Sequence, residues 1–219
     1  MKLRRAISLQ LAMLALGCHS RFPQGTFDPF VDDWYSKQLR AAYEKPLRPS
    51  GQDSVEVYRF TWIPSFHPTT TVRLVRKANE YRLIATRLSG AGGYRPGHAI
   101  LSKSLVLPRH QGEQVLAWIS EMEFWSMPTE EPDKLTEDGH LVLGADGAEW
   151  LLEGADQHRY HAVTRWFHDE YPKFEQACVC LIVWSGLKAS LGDMEFYRFD
   201  PKRLSACSKE TPDHNQGAG

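Results

Sequence analysis

The alternation of apolar and polar residues changes period several times along the chain, and each change predicts an element. Phe30, Trp34, Leu39 and Tyr43 keep roughly helical spacing after Asp28, and Pro46 and Pro49 end the run, so an amphipathic helix packed on the domain is expected there. From Val55 the period drops to two: Tyr58, Phe60 and Trp62 alternate with polar residues until Pro64, which spells a strand with an aromatic face. Residues 71–77 and 80–85 flank Ala78-Asn79, where Asn tolerates positive φ, and together they spell a hairpin. A two-residue turn sets Lys77 opposite Glu80 and Leu74 opposite Leu83, one charge pair and one core pair in the same register.

A further strand is expected over 99–107, and Val115, Trp118, Ile119 and Met122 mark a helix over 111–125 that Met127-Pro128 closes. The acidic, proline-marked stretch 129–138 is expected to be a surface loop. Leu141-Val142-Leu143 and Trp150-Leu151-Leu152 flank Asp146-Gly147, which predicts a type I′ hairpin with Leu143 facing Trp150 and Leu141 facing Leu152. Residues 160–166 read as a strand. Residues 172–187 read as a buried helix, because 177–184 is apolar on nearly every side, and the chain turns polar after Leu191. The class this predicts is α+β, a mainly antiparallel sheet with two or three helices packed on one face. The expected organisation is a signal over 1–17, a tether and N-terminal helix over 18–50, one α+β domain over 51–190, and a polar tail over 191–219.

The start of the chain adds an address to this plan. Met1-Lys2-Leu3-Arg4-Arg5 is cationic, and residues 6–16 are apolar except for Ser8 and Gln10, too short a run to span a bilayer. Leu14-Ala15-Leu16-Gly17-Cys18 resembles a bacterial lipobox, with Ala15 departing from the preferred leucine. The resemblance implies cleavage before Cys18, acyl chains on that cysteine, and a lipid anchor in a bacterial cell envelope. His19 follows in place of the aspartate associated with inner-membrane retention, so outer-membrane sorting is expected in a diderm source. An ordinary signal peptide with a coincidental cysteine is the alternative.

Charge then narrows the partners. The formal net charge is −1, and removal of Lys2, Arg4 and Arg5 takes it to −4, a balance that does not suit a nucleic-acid binder. With Cys18 given to lipid, Cys178, Cys180 and Cys207 are left in an oxidising compartment. Cys178 and Cys180 lie about 200° apart around a helix, so one disulfide from Cys207 to either of them is expected, and the other thiol stays buried or reactive.

From Val115 to Leu187, the helix ending Phe124-Trp125-Ser126-Met127-Pro128, then Asp146-Gly147-Ala148-Glu149-Trp150, then Arg159-Tyr160-His161-Ala162-Val163-Thr164-Arg165-Trp166 resembles uncharacterised bacterial exported proteins. That resemblance implies a single α+β unit and carries no activity with it.

Candidate chemistry is sparse. Ser185-Gly186-Leu187-Lys188 matches the SxxK spacing of serine acyl-enzymes, but it falls at the end of a helix, with no SDN or KTG after it. His158, His161 and His168 lie near Asp156, Asp169 and Glu170, yet no HExxH-type spacing gathers them, so no metal is expected. The glycine-rich loop 89–97 leads into a strand rather than a helix, so it is read as a mobile connection and not a phosphate cradle, and no cofactor is expected. Arg59, Arg73, Arg82, Arg87 and Lys103 fall where a cationic strip on the outer sheet face would draw an acidic partner or anionic lipid, although a solvated face accounts for them too. The function expected on these grounds is a lipid-anchored, non-enzymatic binding module of immunity or inhibitor type, with an envelope protein as partner. The alternative is a periplasmic hydrolase whose catalytic residues no motif reveals.

Overall fold

The computed structural model describes residues 20–49, 51, 55–141, 146–166, 170–196 and 202–207. Six strands form one antiparallel sheet: β1 (Val55–Pro64), β2 (Thr70–Lys77), β3 (Glu80–Leu88), β4 (Ala99–Leu107), β5 (Ala148–Ala155) and β6 (Tyr160–Arg165). Their order across the sheet is β4-β3-β2-β1-β5-β6. The first four run as a meander away from β1. The chain then crosses the sheet through α2 (Arg109–Glu121) and returns to pair β5 on the free side of β1. The helices are α1 (Pro29–Ala41), α2, α3 (Pro172–Ser185), α4 (Lys188–Phe196) and α5 (Lys202–Cys207). The α+β class expected from the periodicities is the observed one.

The period-two stretches decide which side chains meet. Tyr58, Phe60 and Trp62 of β1 point to one face with Leu74, Leu83, Trp150, Leu152 and Val163, and there they join α2 through Val115, Trp118 and Ile119. Across this face α3 is packed so closely that every side chain from Ala177 to Ile182 has no exposure, which is why its apolar residues run all round the helix. The opposite parity, Ile63, Leu151 and Ala162, packs instead against Phe22, Phe27, Tyr35 and Leu39. The N-terminal helix therefore covers the second face of the sheet, while the other helices share the first.

The β2–β3 hairpin has the expected register, with Lys77 opposite Glu80 and Leu74 opposite Leu83. Its left-handed residue is Ala78, at φ 54°, rather than Asn79. On α1 the buried positions are Tyr35, Ser36, Gln38 and Leu39, whereas Phe30 and Tyr43 of the expected apolar stripe are each 81% exposed. The helix ends before Tyr43, which sits at φ 57°, and this swings its ring outward. Residues 20–28, where Pro23 and Gly25 suggest a tether, are docked: Phe22 and Phe27 are buried against Tyr35 with ring centroids 6.2 and 5.1 Å away.

The hairpin expected around Asp146-Gly147 does not form. Both edges of β5 are already occupied, Trp150 lying between Trp62 and Arg165, and Leu152 between Phe60 and Val163. Leu141 forms an isolated bridge with Leu135 instead, and Val142 and Leu143 lie outside the described residues. Gly147 is not among the positive-φ glycines; it lies flat against Trp166, where a Cβ would come within 2.6 Å of the indole. The physical reason is competition: a local turn gains one ladder, while the placement observed gives β5 two.

Candidate functional site

The polar groups buried deepest lie between the sheet and the N-terminal segment. Arg59 and Glu153 are directly opposed on β1 and β5, and both are fully buried. The Arg59 guanidinium grips Glu153 through Nε and Nη2, each 2.7 Å from a carboxylate oxygen. Its Nη1 donates to Glu44 Oε2 at 3.2 Å and to the Lys45 carbonyl at 2.7 Å. Arg73 approaches the same Glu44 oxygen at 3.2 Å, and Tyr160 donates its hydroxyl to Glu153 Oε1 at 2.9 Å. Burial alone would strip charge from Arg59, but the carboxylates of Glu153 and Glu44 outweigh it and hold the guanidinium firmly charged. This network joins the loop after α1 to the centre of the sheet.

Further along β5, on the same face, Glu149 lies within hydrogen-bonding reach of the Tyr35 hydroxyl of α1. Loss of water around the carboxyl, aided by Glu131 and Glu130 and opposed by Tyr35 and Arg165, raises its pKa to about 7. Tyr35 is itself pushed well above its ordinary range by burial and by Glu149, and Thr164 lies within hydrogen-bonding reach of it. Glu131 accepts the Trp166 backbone N–H at 2.9 Å. A carboxyl that titrates near neutrality beside a hydroxyl can exchange a proton, which is what a general acid or base requires. Its location also gives it a structural role, since Glu149 meets Tyr35 where α1 lies on β5. No motif marks Glu149. The available signal was its place on β5, two residues before Leu151 on the same face and one residue before buried Trp150.

Cys18 lies outside the described residues. Of the two partners open to Cys207, the structure joins it to Cys180, while Cys178 is free, fully buried, and has its thiol pushed well above the ordinary range by that burial. The histidines do not come together. His158 is exposed in the β5–β6 turn, and His161 is half-buried, its Nε2 2.9 Å from the Met127 carbonyl and its ring against Phe124. Burial lowers the His161 pKa, and His168 and Asp169 lie outside the described residues. Glu170 pairs with Lys134. Among the described residues no group of three His, Cys, Asp or Glu side chains is placed to hold a metal ion.

Ser185 ends α3 with its hydroxyl on the Ile182 carbonyl at 2.7 Å, and Gly186 takes the left-handed cap at φ 68°, so the SxxK match is a helix terminus. The glycine loop is pinned to α1: Trp34 donates to the Gly93 carbonyl and Gln38 to the Gly92 carbonyl, each at 2.9 Å. At Gly92 a Cβ would fall 1.5 Å from the Pro64 carbonyl oxygen, which explains the glycine by close backbone approach rather than by anion binding. The cationic strip is split between the two faces, and each of its members is held by a partner. Arg59 and Arg73 pair with acids under the N-terminal segment, Arg82 pairs with Glu80, Arg87 with Asp193, and Lys103 donates to the Gly186 carbonyl.

A cleft of about 220 Å³ lies between α2 and α3, lined by Met122, Met127, Tyr171 and Phe174, smaller than a site for a drug-sized ligand. No described helix is long and apolar enough to cross a membrane. No protein-family model, curated protein or solved structure matches this chain.

Proposed function

We propose that the protein is a lipid-anchored module of a bacterial cell envelope that binds another envelope protein, as an immunity or inhibitor protein would. The observation that carries the address is Gly17-Cys18 directly after a short apolar run with a cationic start. The Cys180–Cys207 disulfide supports it, because such bonds persist in oxidising compartments. The docking of Ser20 gives the anchor a direction. Its hydroxyl donates to Asp32 Oδ2 at 2.7 Å, and the Arg21 N–H donates to Ser36 Oγ at 2.8 Å, so the chain is attached to α1 from that point on. Only about 7 Å of chain can separate Cys18 from Ser20. A lipid on Cys18 therefore holds the α1 side of the domain against the bilayer and turns the rest of the sheet outward.

The test is metabolic labelling with a fatty acid, followed by fractionation. The wild-type chain is expected to take up label and sediment with membranes, and Cys18→Ser to do neither; label in the variant would overturn the anchor. Affinity capture from native envelopes then tests the binding role, with one envelope protein expected to be retained. A second reading, an envelope hydrolase, draws on Glu149 near neutrality beside Tyr35. It requires Glu149→Gln to abolish a hydrolytic activity that the wild-type chain shows on envelope substrates.

A further inference from the structure

We infer that β4 is a dimerisation edge, and that two copies of this chain pair antiparallel through it to form one continuous twelve-stranded sheet. The two ends of the sheet are finished differently. Beyond β6 the chain segment 127–131 closes the edge: Thr164 N–H donates to the Thr129 carbonyl at 2.7 Å, and the Arg165 guanidinium donates to the Pro128 carbonyl at 3.1 Å. Beyond β4 the described residues place nothing. Its backbone pairs only with β3, and from Ile100 to Ser104 every residue is exposed. Native proteins blunt such edges with charges, proline or bulges; β4 carries one charge in nine residues and one irregularity near its start, where Arg87 faces Leu101 and Leu88 faces Ala99 so that Ile100 is bulged, and Ile100 and Val106 are 55% and 57% exposed.

The sequence of this edge is self-complementary. Ile100-Leu101-Ser102-Lys103-Ser104-Leu105-Val106 reads nearly the same in both directions about Lys103. An antiparallel pair with its two-fold axis at Lys103 sets Ile100 opposite the second copy's Val106, Leu101 opposite Leu105, and Ser102 opposite Ser104. Within the regular ladder from Leu101 to Leu105 leucine then meets leucine and hydroxyl meets hydroxyl, with the bulged Ile100 and Val106 meeting at its two ends. Lys103 would meet its own copy, a repulsive placement, but its Nζ is drawn 2.6 Å from the Gly186 carbonyl at the end of α3, back over its own helices. Pro108 bounds the strand at one end, Pro96 lies beyond the other, and the covered β6 edge stops the assembly at two copies. An axis perpendicular to the sheet leaves both α1 layers on one side, so two anchored chains can pair on one membrane. The pairing itself does not require the lipid.

Cross-linking of the full chain tests the register. Directly opposed Cα atoms in such a pair lie about 4.5–5.5 Å apart, within disulfide range. Lys103→Cys is expected to yield a covalent dimer on oxidation, with the 103–103 link found by peptide mass mapping. Leu101→Cys, whose copies stand four residues out of register, is expected to stay unlinked. Ser102→Cys and Ser104→Cys are expected to link to each other when co-expressed and not to themselves. The wild-type chain should sediment in detergent at twice the protein mass of the Ile100→Lys, Val106→Lys double variant, whose changes fall on exposed side chains. The inference is overturned if Lys103→Cys gives no dimer, if Leu101→Cys links as readily, if the link joins a different protein, or if the wild-type chain sediments as a monomer.

Discussion

Ala78 holds a left-handed backbone, φ 54°, in the turn between β2 and β3, a conformation in which its Cβ crowds the following carbonyl. Glycine takes that conformation without the clash, so Ala78→Gly is expected to stabilise the fold by about 0.5–1 kcal/mol despite glycine's larger unfolded entropy, read as a higher urea midpoint at unchanged slope. Glu149 sets a pH dependence. Folding raises its carboxyl from the usual 4.5 to about 7, so between those values the folded state holds a proton that the unfolded chain has released. Its contribution is therefore greatest below pH 4.5, declines as the pH rises through that window, and stays lost above 7. Glu149→Gln, neutral at every pH, should raise stability at pH 8 by on the order of 1–3 kcal/mol and flatten the decline between pH 5 and 7 in urea titrations. At Gly147 the expected damage from valine comes from the Trp166 indole 2.6 Å from a new Cβ, and not from a turn; a loss of about 1–3 kcal/mol in thermal melts is expected, with Trp166→Ala recovering part of it.

Among the elements, the short C-terminal helix α5 depends on a staple. Its Cys207 is bonded to Cys180 in α3, and the Trp184 indole donates to the Cys207 carbonyl at 2.8 Å. Closing a loop of 27 residues restricts the unfolded chain, so Cys207→Ser should lower stability by roughly 2–4 kcal/mol, and the hydrogen-exchange protection of α5 should fall first. Elements with strong local periodicity are legible in the sequence alone. The Lys77–Glu80 and Leu74–Leu83 pairs follow from a two-residue connection alone, because the turn length fixes the register. The Asp146-Gly147 hairpin misled for the complementary reason. A turn signal reports what the backbone can do locally, and β5 had a better offer from β1 and β6 on its two edges.

At the scale of the whole molecule, the Arg59–Glu153 pair decides whether the N-terminal layer stays on the sheet. Arg59→Leu would leave Glu153 and Glu44 buried without their main cation, a loss expected at about 3–5 kcal/mol, whereas Arg59→Leu with Glu153→Leu should recover most of it. Urea unfolding of the single and double variants measures this difference, and exchange at Tyr35 and Leu39 should rise in the single variant. Read as sequence, Arg59 belonged to a solvated or cationic outer face, since an arginine alternating with aromatics on a strand ordinarily faces water. What the sequence determined by itself was whatever depends on neighbours in the chain: the strands of the sheet, the helix that is apolar all round, and the register of the first hairpin. Only the tertiary structure decided that residues 20–48 fold back over the second face, because that depends on Phe22, Phe27, Tyr35 and Glu44 finding Ile63, Leu151 and Arg59, partners as far as 129 positions away whose attraction no local period records. That covering is what buries Arg59 and brings Tyr35 to Glu149.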